Sequence, residues 1–189
     1  SLNNNLCIIK LKNNKMTQID KTKPVMVTGA NGYVASWLVK KLLDEGMTVH
    51  AAVRDPKNTK KIEHLTEAAA NSKGEIKFFK GDLNIPGSYK EAMEECELIY
   101  HTASPFTMDV KNPQKELIDP AVNGTENVLL SANETPSVKR IVVTSSCAAI
   151  YTDAIDTVNA PGGKLTEDVW NTTSSLEYQP YSYSKTLAE

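Results

Sequence analysis

Apolar positions in this chain fall into short continuous runs separated by longer stretches of helical period. The first run is Val25-Met26-Val27 and the second is Thr48-Val49-His50-Ala51-Ala52-Val53. Further runs lie near Ile76 to Phe79, at Leu98 to His101, and at Ile141-Val142-Val143-Thr144. Short apolar runs of this length predict strands. Between the first two runs, Trp37, Leu38, Leu42 and Leu43 recur at helical spacing, and Gly46 closes the turn that follows. Helices are also expected from about Ser88 to Glu95 and from about Pro113 to Ala132. Strands alternating with helices indicate βαβ units, right-handed crossovers and a parallel sheet. The predicted fold is therefore α/β, a doubly wound parallel sheet. From Asp153 to Gln179 the chain is polar and holds Pro161-Gly162-Gly163, which reads as a long loop with one helical turn near Glu167. No internal repeat or low-complexity tract interrupts this plan.

The joint between the first strand and the first helix reads PVMVTGANGYVASW from Pro24 to Trp37. A strand, a glycine turn and a helix in that order are what a dinucleotide-binding βα unit requires. Gly29 permits the tight turn, and Gly32, lacking a Cβ, lets a pyrophosphate approach the helix N-terminus. Free N–H groups and the positive end of the helix dipole favour an anion there. The spacing is G-x-x-G-x-x-A, with the small Ala35 where a third glycine often stands. Many glycine turns simply join a strand to a helix, so the surrounding residues must carry the reading.

Composition narrows the class. The chain has 189 residues and a formal net charge of -2, enough length for one full core and no electrostatic case for nucleic acid or an anionic membrane. No apolar run approaches the ~20 residues that span a bilayer. Cys7, Cys96 and Cys147 are scattered and show neither metal-ligand spacing nor a disulfide framework, which suits a reducing, cytoplasmic location and a site without metal. The sequon-like triplets at Asn123, Asn133 and Asn171 read as chance matches. Residues 1–15, rich in Asn and Lys, lack a signal-peptide cleavage pattern. They are read as a disordered or extraneous extension with Met16 a natural start, and an edge strand over Leu6 to Leu11 is the alternative. The domain is accordingly placed at 24–189, with 1–23 outside it.

Several residues sit where nucleotide chemistry would use them. Arg54 ends the second strand, which in a Rossmann-type unit faces the adenosine ribose. A guanidinium there accommodates a 2′-phosphate, whereas an acid would bond a 2′-hydroxyl. Arg54 with Lys57, Lys60 and Lys61 thus favours NADP over NAD, although the lysines could be a solvated helix start and Asp55 could serve a hydroxyl. Gly81-Asp82-Leu83 closes the third strand. Its carboxylate could accept from the adenine amino group while the next backbone N–H meets a ring nitrogen, or it could cap a local turn. His101-Thr102-Ala103-Ser104-Pro105 ends the fourth strand with small residues that let backbone touch a cofactor, and His101 itself reads as a packed histidine.

Tyr181 and Lys185 stand four apart in Tyr181-Ser182-Tyr183-Ser184-Lys185 and would share one helix face. A tyrosine titrating near ~10 is a poor base, but a neighbouring ammonium favours the phenolate and makes proton exchange with an alcohol or carbonyl oxygen feasible. Lys185 would also hold nicotinamide ribose hydroxyls. At the carboxyl end of the fifth strand, Ser145 or Ser146 could hydrogen-bond the substrate oxygen, and strand parity does not separate the two.

With these residues assembled, the chain resembles the extended short-chain dehydrogenase/reductase (NAD-dependent epimerase/dehydratase) superfamily, most closely its dihydroflavonol reductase and cinnamoyl-CoA reductase group. The matching stretches are VTGANGYVASWLVKKLL, HAAVRDPKNTKK, GDLNIPGSYKEAMEECELIYHTASPF, VNGTENVLL, IVVTSSCAAIY and YSYSKTLAE. The resemblance implies a catalytic trio of Ser146, Tyr181 and Lys185, favouring Ser146 over Ser145. It also implies cofactor contacts from Gly29, Gly32, Tyr33, Val34, Arg54, Lys61, Asp82, Leu83, Thr102, Ala103 and Ser104, together with Tyr181 and Lys185. The expected activity is NADPH-dependent interconversion of a carbonyl and an alcohol on a small-molecule substrate. Alternatives are a nucleotide-sugar epimerase or dehydratase with retained NAD, and a non-catalytic dinucleotide-binding module. Family members generally continue well past the Y-x-x-x-K helix, so a fragment lacking the substrate-binding part is expected.

Overall fold

In the computed structural model, residues 18–105 and 109–189 are described. The extension expected over residues 1–15, the alternative strand at Leu6 to Leu11 and Cys7 lie outside them. Just before the first strand, Asp20 to Lys23 form a turn whose Asp20 N–H donates to Glu97 Oε2 at 2.9 Å.

Five strands form one parallel sheet: β1 (Val25–Thr28), β2 (Thr48–Val53), β3 (Glu75–Lys80), β4 (Leu98–His101) and β5 (Arg140–Val143). Their order is β3-β2-β1-β4-β5. The chain steps outward from β1 in one direction and then restarts on its other side, so the direction reverses between β1 and β4. In open α/β sheets, ligands bind outside the carboxyl ends of the strands at such a reversal. Register pairs Thr28 with His101 across it. The doubly wound α/β architecture expected from the strand and helix alternation is present.

Both faces of the sheet are covered at β1 and β2, whereas Val142 and Val143 of β5 are exposed, and residue parity decides which face each side chain serves. Val25, Val27, Val49, Ala51 and Val53 pack under helices α1 (Tyr33–Asp44) and α2 (Thr59–Ala70). Met26, Ala52 and Ile99 point the other way, toward Tyr89, Val128 and the helices α3 (Lys90–Met93) and α4 (Asp119–Asn133). Fully buried aliphatic side chains such as Val39 and Leu43 on α1 each stabilise the fold by roughly 1.5–3 kcal/mol relative to exposure.

The structure departs from the sequence expectation at four places. Trp37, counted in the apolar stripe of α1, is 64% exposed, and Ala35, Val39, Leu42 and Leu43 form the buried face instead. The helix expected over Ser88–Glu95 shrinks to Lys90–Met93, bounded by positive φ at Gly87 and Glu95. The long helix from Pro113 begins as a π-helical turn, Gln114–Ile118, before α4. Pro120 has no N–H to donate, so the preceding ladder is free to widen, and the Asp119 N–H reaches back to the Gln114 carbonyl. The helical turn expected near Glu167 is only a turn. The helices of that region are α5 (Ile155–Asn159) and a short 3-10 segment, Pro161–Gly163. Helix α6 (Pro180–Ala188) closes the described chain and packs against α4 and the 3-10 turn Cys147–Ala149.

Candidate active site at the sheet reversal

The glycine turn is tight and leaves the start of α1 open. Gly29 has φ +59°, and a Cβ there would stand 3.1 Å from both Cα and Cβ of Ala103. The turn closes through the Gly32 N–H to the Gly29 carbonyl at 2.8 Å, and Gly32 is the N-cap of α1 with no side chain over it. The first α1 amides are thereby open to an anion. Ala35 is buried where the helix meets the sheet, so its methyl is compatible with close packing. Tyr33 and Val34 are exposed, Tyr33 at 84%.

Arg54 follows the end of β2 and is exposed. Its neighbour Asp55 is engaged locally, since Oδ1 accepts from the Lys57 N–H at 3.0 Å. Lys57, Lys60 and Lys61 are exposed at the start of α2. The Lys61 carbonyl faces Asn31 Nδ2 at 3.5 Å, so the first turn of α2 abuts the glycine turn.

After β3, Asp82 Oδ1 accepts from the Asn84 N–H at 2.9 Å, the local turn cap that the sequence left as an alternative. Leu83 is wedged against α4, where a Cβ on Gly124 would lie 2.8 Å from Leu83 Cβ. Asn127 on the same helix donates to the Ile85 carbonyl at 2.8 Å and accepts from the Gly87 N–H at 2.8 Å. Sequence reasoning missed Gly124 and Asn127 as the residues that fix this segment. The available signal was a buried-register asparagine within VNGTENVLL.

At the end of β4, Thr102 and Ala103 donate their N–H groups to Thr28 Oγ1 at 3.1 and 3.0 Å. Thr102 Oγ1 also donates to the Thr28 carbonyl. His101 is 3% exposed and sits between Thr28 and Thr125. Burial, with the Lys185 ammonium nearby, pushes its imidazole down to about 4.

Helix α6 brings Lys185 to this same place. Its buried Nζ donates to Ser104 Oγ at 3.3 Å, and burial holds the ammonium below its usual range while Glu189 opposes that shift. Tyr181 lies one turn earlier on α6, half-buried. Of the two serines, Ser145 donates to the Glu189 carboxylate, while Ser146 Oγ accepts from the Ala148 N–H at 3.2 Å and starts the Cys147–Ala149 turn. A cavity of about 20 Å³ is walled by His101, Ala103, Ser104, Ser145 and Lys185, and neither Ser146 nor Tyr181 is among the described residues that line it.

Asn171 ties the long loop to the Ser146 turn, and the sequence did not single it out. Its backbone N–H donates to the Ala149 carbonyl at 2.9 Å, and Nδ2 donates to the Ala148 carbonyl at 2.7 Å. Oδ1 accepts from the N–H groups of Thr173 and Ser174 at 3.1 and 3.0 Å. With its side chain buried and bonded in this way, the sequon there has no accessible amide.

A parallel sheet in the order β3-β2-β1-β4-β5, with an open glycine turn at its reversal point, defines a Rossmann-type doubly wound α/β domain. The chain belongs to the NAD dependent epimerase/dehydratase family, whose model matches residues 25–189. It is 45% identical over 169 residues to cinnamoyl-CoA reductase CAD2 of Medicago truncatula, covering 87% of this chain and 50% of that protein. It is 43% identical over 168 residues to tetraketide alpha-pyrone reductase 1 of Arabidopsis thaliana, again 87% and 50%. Among solved structures, yeast methylglyoxal/isovaleraldehyde reductase Gre2 complexed with NADPH superposes with a TM-score of 0.72 at 30% identity, covering 87% of this chain and 50% of that one. The chain thus spans about half the length of the relatives it matches. Among the described residues, no helix is long and apolar enough to cross a membrane.

Proposed function

We propose that this chain carries the nucleotide-binding and proton-transfer elements of an NADPH-dependent oxidoreductase that interconverts a carbonyl and an alcohol. The observation that carries the reading is the Lys185–Ser104 contact, which joins the helix of the Tyr-x-x-x-Lys pair to the end of β4. The relatives named as reductases, and the NADPH complex of the yeast neighbour, support the same reading.

The residues present fit a dinucleotide, because the Gly29–Gly32 turn leaves the α1 amides uncovered and Ala103 closes on Gly29 without a side chain between them. In this reading Gly29, Gly32, Tyr33 and Val34 cradle the pyrophosphate. Arg54 and Lys61 hold the 2′-phosphate, Asp82 and Leu83 face adenine, and the Thr102–Ser104 backbone lines the nicotinamide half. The bound nucleotide supplies the hydride. Tyr181 donates the proton to the developing alkoxide, and Ser146 hydrogen-bonds the same oxygen. Lys185 lies one turn along the helix, where its positive charge favours the phenolate after transfer and its N–H groups reach ribose hydroxyls.

Replacing Tyr181 with Phe tests the assignment. NADPH binding is expected to persist within about threefold, while carbonyl-dependent NADPH oxidation is lost. Turnover equal to wild type would remove Tyr181 from the reaction.

A further inference from the structure

Beneath the carboxyl ends of β1 and β4 runs a buried polar chain for which the proton-transfer reading has no use. Thr28 is 0% exposed, and His101 and Thr125 are buried beside it. His101 Nδ1 lies 2.8 Å from Thr28 Oγ1, and Nε2 lies 3.3 Å from Thr125 Oγ1. Both contacts are long-range in sequence, so the folded sheet creates them.

The direction of each bond follows from counting. A threonine hydroxyl has one proton and two acceptor lone pairs. Thr28 Oγ1 receives the N–H groups of Thr102 and Ala103, which occupies both lone pairs. Its own proton is then left for His101 Nδ1. A neutral imidazole that accepts at Nδ1 carries its proton on Nε2, where it donates to Thr125 Oγ1. An imidazolium would have no acceptor to offer Thr28, and Lys185 on α6, the charged group bearing on the ring, disfavours a second positive charge.

The geometry points to His101 as a positioning residue for the dinucleotide. By accepting the Thr28 proton it holds Thr28 Oγ1 as the double acceptor that pins the Thr102–Ala103 backbone against Gly29. The inference rests on the dinucleotide reading of the sheet reversal. Its structural consequence is local: Ala103 is in van der Waals reach of the glycine turn, and the next residue, Ser104, takes the Lys185 ammonium. Without an acceptor at Nδ1, the Thr28 hydroxyl must turn to find another, and its lone pairs leave the two amides. The wall then moves relative to both the glycine turn and Lys185.

Two measurements test this. The chain has three histidines, so long-range nitrogen–proton NMR correlations of the isotope-labelled rings can be assigned to His101 by their loss in His101→Asn. A neutral ring protonated on Nε2 is expected from about pH 8 to about pH 5.5. A proton on Nδ1, or an imidazolium in that range, overturns the inference. In the second measurement, NADPH affinity is read by fluorescence titration. His101→Asn places its Oδ1 where Nδ1 stood and keeps the acceptor, so affinity stays within about threefold of wild type, whereas His101→Leu, which fills the space without an acceptor, loses about tenfold or more. Equal affinity in both variants overturns the positioning role. Should His101→Leu fail to fold, Thr28→Ser and Thr28→Val form the equivalent pair, with affinity kept in the first and lost in the second. A wild-type chain that shows the Nε2 tautomer but binds no NADPH instead defeats the dinucleotide reading, and with it this role.

Discussion

Gly29 and Ala103 meet across the point where the sheet reverses direction, so closely that a Cβ on Gly29 would stand 3.1 Å from two atoms of Ala103. The same glycine has φ +59°, a conformation that costs other residues roughly 1–2 kcal/mol. Two independent constraints therefore fall on one residue. Gly29→Ala should lower unfolding stability by at least about 1 kcal/mol and displace Ala103. Urea denaturation reads the first effect and NADPH titration the second, and affinity is expected to fall about tenfold or more.

Arg54 is exposed at the end of β2, while the Asp55 carboxylate is already bonded to the Lys57 amide. In the proposed reading this guanidinium, with Lys61, would choose between the two nucleotides. A charge-assisted hydrogen bond to phosphate contributes roughly 1.5–3 kcal/mol, so Arg54→Ala should weaken NADPH by about tenfold to a hundredfold and leave NADH unchanged. Parallel titrations with the two nucleotides check this. A wild-type preference for NADH would redirect the site toward the epimerase and dehydratase chemistry of the wider family.

Asn171 holds the Ala148 and Ala149 carbonyls and the Thr173 and Ser174 amides. Truncating it keeps the backbone bond to Ala149 but leaves the part-buried Ala148 carbonyl and the Thr173 and Ser174 amides without their side-chain partner, at about 1–3 kcal/mol for each one that water cannot reach. Asn171→Ala should therefore destabilise the chain by about 2 kcal/mol or more and raise hydrogen exchange in the Cys147–Ala149 turn. With Ser146 starting that turn, carbonyl reduction should fall more than NADPH affinity does.

His101 also gives stability a pH dependence of known sign. Its folded value of about 4 lies below the ordinary 6.5, so between those values the unfolded chain binds more protons. Stability from this residue is present above about pH 6.5, declines on acidification, and is lost below about pH 4, a difference of at most about 3 kcal/mol. Buried His50 is shifted in the same direction, which makes the wild-type curve minus that of His101→Asn the proper measure. Glu97 and Asp156, held below their ordinary 4.5 and 3.8, begin to lose their own contributions near those values, at the acid end of this window, and the difference curve cancels them as well. A difference curve that is flat between pH 6.5 and 4 would contradict the buried neutral ring.

Much of the frame was legible before any coordinates. The runs at β2 and β4 matched their strands because strands buried on both faces read as continuous apolar sequence. The glycine turn was legible because φ above zero and an uncovered helix N-terminus require small residues. Local chemistry fails where two local choices are nearly equal. Trp37 and Leu38 are adjacent, and helical period alone did not show that Trp37 would face water. Pro120 announces a disturbed helix, but whether the chain answers with a kink or a π turn depends on what packs beside it.

The site itself divides along the same line. Sequence determined the residue types and their order: glycines after β1, an arginine after β2, small residues after β4, and a tyrosine and lysine one helical turn apart. Tertiary structure decided which of them meet. Thr28 and His101 lie 73 residues apart in sequence, and Lys185 and Ser104 lie 81 apart. It also gave the serines different bonds, Ser145 to Glu189 and Ser146 to its own turn. Periodicity along a chain fixes which face a residue occupies. Hydrogen bonds between strands and helices far apart in sequence form only when the sheet order is set, and they decide which polar groups converge.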